Sequence, residues 1–237
     1  ERLWPFFFGL QKGEKYCKIH LGGKCMTEVF YTCPGDLTDR EFEVVFAALC
    51  KGRQDKILAL KRSRDRLLCL GAGFLLKTAL ERHGLSDSLV ISGTGKPFLK
   101  GNELYFSLSH SGERAMCALS DREIGCDCQK ILPYKQRIAQ KYFSQNEIEL
   151  IKNSHNADAE FTRIWSLKES LVKLTGEGIC GMSKADVFCC GGRFFREYDL
   201  NDGHKYSVCA KNDGFPKAME YIDIKKAAES AANQEFF

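Results

Sequence analysis

The chain has 237 residues, 44% of them hydrophobic and 28% charged, with a formal net charge of +4 at pH 7. That length holds one large domain or two small ones around a sizeable core, and the composition excludes disordered, collagen-like and coiled-coil classes. So small a positive surplus, with no long Lys/Arg run, excludes tracking of a nucleic-acid backbone and leaves a modest preference for acidic partners.

The N-terminal stretch LWPFFFGL is apolar, but it is short and interrupted by Pro5. It reads neither as a membrane span nor as a secretion signal, and the expected location is the cytoplasm. Strand-like CKIHLG and EVFYTC follow, closed by Pro34-Gly35-Asp36. In DLTDREFEVVFAALC, Asp36 or Thr38 offers an N-cap, and Phe42, Val45, Phe46 and Leu49 recur at helical spacing. The pattern stays helical from Lys51 to Arg82, and Gly71 and Gly73 suggest close packing against a neighbour.

A Gly-rich connection, SGTGKPFLKGNE, leads into LYFSLSH, AMCALS and, after a DRE turn, IGCDCQ, which together predict an antiparallel sheet element. Alternation places Ile124, Cys126 and Cys128 on one face and Gly125, Asp127 and Gln129 on the other. The twelve cysteines form no CxxC pair, which argues for buried thiols in a reducing compartment rather than zinc ligation.

The second half loosely repeats the order of the first. PYKQRIAQKYF predicts a helix with Pro133 near its first turn, and Ser144 with Glu147 makes a capping box before IELI. Asp158 is the expected cap of a helix from Ala159 to Leu174, stopped by GEG. The tail predicts strands at ADVFCC, GRFFREYDL and HKYSVCA, with NDG as a turn and residues 225–237 as a short helix or a frayed end.

Within FTRIWSLKESLVKL, steps of about 100° gather Phe161, Ile164, Trp165, Leu167, Leu171, Val172 and Leu174 into one apolar arc. Glu169 and Lys173 sit one turn apart at its margin, where an ion pair would account for them. Lys168 falls inside the arc. Either it snorkels to water or it reaches an anionic ligand in a cleft.

Four stretches, GKPFL from 95, FSLSHSG from 106, IGCDCQ from 124 and WSLKESLVK from 165, resemble the 4′-phosphopantetheinyl transferases of the longer, monomeric type that activates peptide and polyketide synthetases. The resemblance implies an α+β fold of two pseudo-equivalent halves, 1–120 for coenzyme A phosphates and 121–237 for metal and catalysis, with the active site at their interface. The implied activity is Mg²⁺-dependent transfer of the phosphopantetheine arm of coenzyme A to a serine of an apo carrier protein, releasing 3′,5′-ADP.

By the same resemblance, Asp127 and Glu169 are metal ligands, with Gln129 at a position that is often acidic in the family. Glu169, Lys173 and Asp127 carry catalysis, and Arg53, Lys56, Lys96, Pro97, Ser109, His110 and Lys168 hold the coenzyme. A family arginine is replaced near Leu68, and Arg66 or Arg64 is its candidate substitute. The alternative is a coenzyme A-binding homologue with weak or no transfer activity. The carrier-docking rim is expected between Tyr134 and Ile151, as part of a monomer that binds neither nucleic acid nor membrane.

Overall fold

The computed structural model describes residues 26–86, 89–91, 97–99, 104–189 and 191–234, and shows an α+β architecture. The expected strand at CKIHLG lies outside the described residues. Strand β1 (Thr27–Thr32) leads to α1 (Asp39–Ala47), whose N-cap is Thr38, closed by a reciprocal capping box with Glu41. The single helix expected from Lys51 to Arg82 is two, α2 (Lys51–Leu58) and α3 (Ser63–Arg82). Arg66 Nε donates to the Leu60 carbonyl at 2.8 Å across the break and stabilises the turn. Within the Gly-rich connection, β2 (Leu89–Ile91) and β3 (Pro97–Leu99) pair antiparallel.

Strands β4 (Tyr105–Ser111) and β5 (Arg114–Ser120) form an antiparallel hairpin, and β5 pairs with β1. Strand β6 (Ile124–Lys130) belongs to a different sheet from the one the sequence suggests. Its ladder partner is β8 (His204–Ala210), which also pairs with β7 (Phe194–Tyr198). Between β6 and β7 run α4 (Gln136–Tyr142), α5 (Gln145–Asn153) and α6 (Ala157–Thr175). The cap of α6 is Asn156, which accepts from the Ala159 N–H, while Asp158 instead accepts the Tyr134 N–H. Gly176, at φ 77°, ends the helix in the left-handed conformation that glycine favours.

ADVFCC is not a strand. Its described residues are loop and turn after a short 3₁₀ helix (Gly178–Gly181), held through the Val187 N–H on the buried Glu147 carboxylate. Strand β9 (Glu220–Tyr221) runs parallel to β1, and α7 (Ile224–Gln234) follows, so the C-terminal segment returns to the first sheet, of order β4-β5-β1-β9.

Side-chain alternation sets the packing of the two sheets. Val29, Met116 and Ala118 from the first meet Ile124, Cys126, Cys128, Tyr206 and Val208 from the second in a shared apolar layer. On the far side of the first sheet, α3 packs closely because Gly71 and Gly73 lie against Pro34, Ala115 and Leu49. The opposite face of β6, carrying Gly125 and Asp127, is left for α6.

Candidate active site

Strand β4 lies beside β6, and the seam between them is bridged by side chains. Its three alternate serines do this work. Ser107 Oγ accepts the Cys126 N–H at 2.9 Å, Ser109 Oγ donates to Asp127 Oδ1 at 2.7 Å, and Ser111 Oγ accepts the Lys130 N–H at 3.2 Å. The period-2 serines of FSLSHS thus join two sheets that do not share a ladder there. Ser107 and Ser111 escaped the sequence reading, although their alternation with Ser109 was the available signal.

Helix α6 approaches the seam from the other side. A Cβ on Gly125 would stand 2.0 Å from the Ser170 carbonyl oxygen and 2.5 Å from the Leu174 nitrogen, so only glycine lets the helix backbone come this near. Ser166 and Ser207 fasten the same contact: Ser166 Oγ donates to the Asp127 carbonyl at 3.4 Å, and Ser207 Oγ donates to the Ser166 carbonyl at 2.7 Å.

This approach brings Asp127, Ser109, Lys173 and Glu169 together. Lys173 Nζ donates to Asp127 Oδ1 at 2.7 Å and to Ser109 Oγ at 2.9 Å. The expected Glu169–Lys173 pairing at the helix margin is therefore incomplete, because the lysine's closest anionic partner is across the seam. Asp127 is 4% exposed, and its second oxygen, Oδ2, is buried without a hydrogen-bond partner. Glu169 is half-buried, and loss of hydration followed by the Asp127 charge raises its pKa. Burial opposes the charge of Lys173, yet Asp127 foremost and Glu169 also keep its pKa above the ordinary lysine value.

An orphaned buried carboxylate oxygen beside a second carboxylate fits a hard cation. Mg²⁺ takes oxygen ligands and uses one or two protein carboxylates alongside substrate phosphates. Among the described residues, no group of three or more His, Cys, Asp and Glu is placed to hold a metal. Gln129 shares the Asp127 strand, but its amide nitrogen donates to Ser111 Oγ at 2.9 Å and to the Lys130 carbonyl.

Positive groups collect on the other side of Ser109. His110, next to last in β4, has an exposed side chain; partial loss of hydration, then the charges of Lys173 and Lys56, lower its pKa against an opposing effect of Asp65. Lys56, on α2, is exposed and near enough to act on His110. Arg53, one turn earlier, is only 6% exposed, and its Nε and Nη2 have no hydrogen-bond partner. Arg66 is engaged at the α2–α3 break, whereas Arg64 donates to the Gly112 carbonyl and Glu113. Pro97 opens β3, and Lys96 lies outside the described residues.

Lys168 neither snorkels to water nor joins this group. It is 1% exposed; its Nζ donates to Glu147 at 2.9 and 3.2 Å and to the Ala185 carbonyl, and lies 5.4 Å from the Phe143 ring centre. The coenzyme role expected for Lys168 is corrected on this ground: an ammonium sealed against a fully buried carboxylate has no free valence for a phosphate. Glu147 is the partner the sequence concealed, because its capping-box spacing with Ser144 already gave it a purpose.

Beside Gln129, a groove of about 150 Å³ is lined by Leu132, Lys135, Ile138, Phe161, Thr162 and Trp165. Lys135, Arg137 and Lys141 are exposed on or next to α4 nearby. Of the nine cysteines among the described residues, Cys69, Cys117, Cys126, Cys128 and Cys209 are buried, and burial drives the Cys126 thiol up to about 11. Those are inert thiols. Among the described residues, no helix is long and apolar enough to cross a membrane.

Comparison with known proteins fits this geometry. A family model described as the 4′-phosphopantetheinyl transferase superfamily matches residues 123–220, from β6 through β9. The 4′-phosphopantetheinyl transferase psf-1 of Bacillus pumilus is 32% identical over 187 residues, covering 68% of this chain and 79% of its own. A 4′-phosphopantetheinyl transferase of Bacillus subtilis is 26% identical over 78% of this chain and 92% of its own. The 4′-phosphopantetheinyl transferase gsp of Aneurinibacillus migulanus is 36% identical over 64% of this chain and 66% of its own.

Proposed function

Because the chain belongs to the 4′-phosphopantetheinyl transferase family, and so is a phosphopantetheine-transferring enzyme, we propose that it moves that arm from coenzyme A to a serine hydroxyl of an apo carrier protein. The observation that carries the reading is the meeting of Asp127, Glu169, Lys173 and Ser109 at the seam of β4, β6 and α6. In the transfer, the carrier serine oxygen bonds to the phosphorus that bears the pantetheine arm, the diphosphate P–O bond breaks, and 3′,5′-ADP leaves.

Asp127 and Glu169 would hold Mg²⁺, with Gln129 Oε1 as a weaker oxygen donor. The ion supplies electrostatic stabilisation of charge developing on the diphosphate. Glu169 takes the proton of the attacking serine, a task open to a half-buried carboxylate beside Asp127. Lys173, already oriented by Ser109, supports the phosphoryl group in transfer. His110, Lys56, Arg53 and Ser109 bind coenzyme phosphates, Lys96 and Pro97 join them in that role, and Arg66 or Arg64 supplies the further guanidinium. Arg53 is the best supported of these, since buried N–H donors without partners favour an anion.

The halves fall at 1–120 and 121–237, pseudo-equivalent in design with the site between them, apart from β9 and α7, which return to β1. The apolar groove at Leu132, Ile138 and Trp165, rimmed by Lys135, Arg137 and Lys141, receives the acidic helix of the carrier. The enzyme works as a cytoplasmic monomer on peptide, polyketide or fatty acid carriers. Glu169→Gln is expected to lower turnover by at least about 10²-fold at saturating Mg²⁺, in the range of a lost general base. Near-normal turnover would remove both roles assigned to Glu169.

A further inference from the structure

Lys173 and any cation on Asp127 must contend for one carboxylate. Both groups that bond the Asp127 carboxylate, Ser109 Oγ at 2.7 Å and Lys173 Nζ at 2.7 Å, use Oδ1, and Oδ2 is the buried oxygen without a partner. A divalent ion on Oδ2 therefore has an ammonium on the other oxygen of the same group. Asp127 is 4% exposed, so little water separates the two positive charges, and their repulsion is far less screened than it would be in solution.

We propose that Lys173 acts as a stand-in cation: it neutralises Asp127 and keeps a divalent ion weakly bound until the coenzyme A diphosphate draws the lysine away, so that ion and coenzyme enter as one cooperative pair. The inference rests on the cation site assigned above to Asp127 and Glu169. Two features of the site make the exchange feasible. Lys173 is 30% exposed, so its side chain has room to swing. A diphosphate offers the ammonium more negative charge than it gives up, and it would bring a divalent ion the phosphate oxygens that such an ion favours.

Thermodynamic linkage then makes the effect reciprocal: whatever factor the coenzyme adds to ion affinity, the ion adds to coenzyme affinity. The Ser109 hydroxyl accepts from Lys173 and donates to Asp127, so it marks the lysine's resting position beside the carboxylate.

The test uses Mn²⁺ as the probe and reads free Mn²⁺ by electron paramagnetic resonance, with no turnover required. Without coenzyme A, Lys173→Met should bind Mn²⁺ about tenfold or more tighter than wild type, and Lys173→Arg should restore the weak binding. Saturating coenzyme A should tighten Mn²⁺ binding by about tenfold or more in wild type and by much less in Lys173→Met. Equal affinities of wild type and Lys173→Met without coenzyme, both weakened by Asp127→Asn, would overturn the stand-in role while keeping the cation site. Mn²⁺ binding indifferent to Asp127→Asn would overturn the site itself. Should Lys173→Met not fold, wild type alone decides: Mn²⁺ bound as tightly without coenzyme A as with it refutes the proposal.

Discussion

Replacing Lys168 by methionine separates a structural role from a coenzyme role at the most distinctive word of the sequence. The lysine is 1% exposed and Glu147 is 0% exposed, so deleting the ammonium leaves a carboxylate buried without its counter-charge. Breaking such a pair costs about 3–5 kcal/mol. With a urea m-value of about 2–3 kcal/mol/M, the unfolding midpoint should fall by more than about 1 M. Fluorescence of Trp165, on the same helix and packed against Phe143 and Tyr142, is a direct probe.

The double variant Glu147→Gln/Lys168→Met should recover part of the loss. Glu147 also accepts the Ser144 N–H at 2.8 Å and the Val187 N–H at 3.1 Å, and glutamine has one acceptor oxygen for the two. The residual deficit is then the cost of one unmet buried donor and of the Ala185 carbonyl that loses its Lys168 donor, about 1–3 kcal/mol each. A Lys168→Met midpoint within about 0.3 M of wild type, which at that m-value is under 1 kcal/mol, with KM for coenzyme A raised tenfold, would refute the buried-pair account and return Lys168 to the coenzyme.

Gly125→Ala should destabilise the protein by about 1–3 kcal/mol and lower turnover further than stability accounts for, because α6 must retreat from β6 and take Glu169 and Lys173 with it. Thermal unfolding and kcat together check this. Ser107→Ala should cost about 1–3 kcal/mol by leaving the buried Cys126 N–H unmet, with the denaturation midpoint as the measure. In the metal-free protein the surroundings of Glu169 favour its protonated form, so Mn²⁺ held by Asp127 and Glu169 should bind more tightly as pH rises, and Glu169→Gln should flatten that dependence. The linked stability has the opposite sense: a raised folded-state pKa contributes stability below the unfolded value, lost as pH rises through the folded one. Raising ionic strength should increase KM for the carrier if basic Lys135, Arg137 and Lys141 guide it.

The elements that build the site were the legible ones. Alternation in FSLSHS and IGCDCQ and helical spacing in WSLKESLVK are local patterns, and the Thr38 and Ser144 capping boxes mark their helices by local chemistry. What stayed hidden depends on distant partners. The α2–α3 break has neither glycine nor proline at residues 59–62; it is held by Arg66 on the Leu60 carbonyl. ADVFCC carries strand-like residues, but Val187 is anchored by a glutamate forty residues earlier. The two-residue β9 exists because Ile222 donates to the Tyr31 carbonyl and Thr32 to the Ile222 carbonyl, a pairing between opposite ends of the chain. Gly125 was placed on the correct face, yet nothing in a glycine announces that a helix backbone will press against it.

The central claim is that this seam transfers phosphopantetheine through Asp127. Intact-mass spectrometry of an apo carrier protein incubated with the enzyme, coenzyme A and Mg²⁺, beside an Asp127→Ala control, tests it most directly. The account predicts a gain of one phosphopantetheinyl group with the wild-type enzyme and no gain with the variant. An unmodified carrier across several carrier types, despite coenzyme binding, or equal modification by Asp127→Ala, would contradict it.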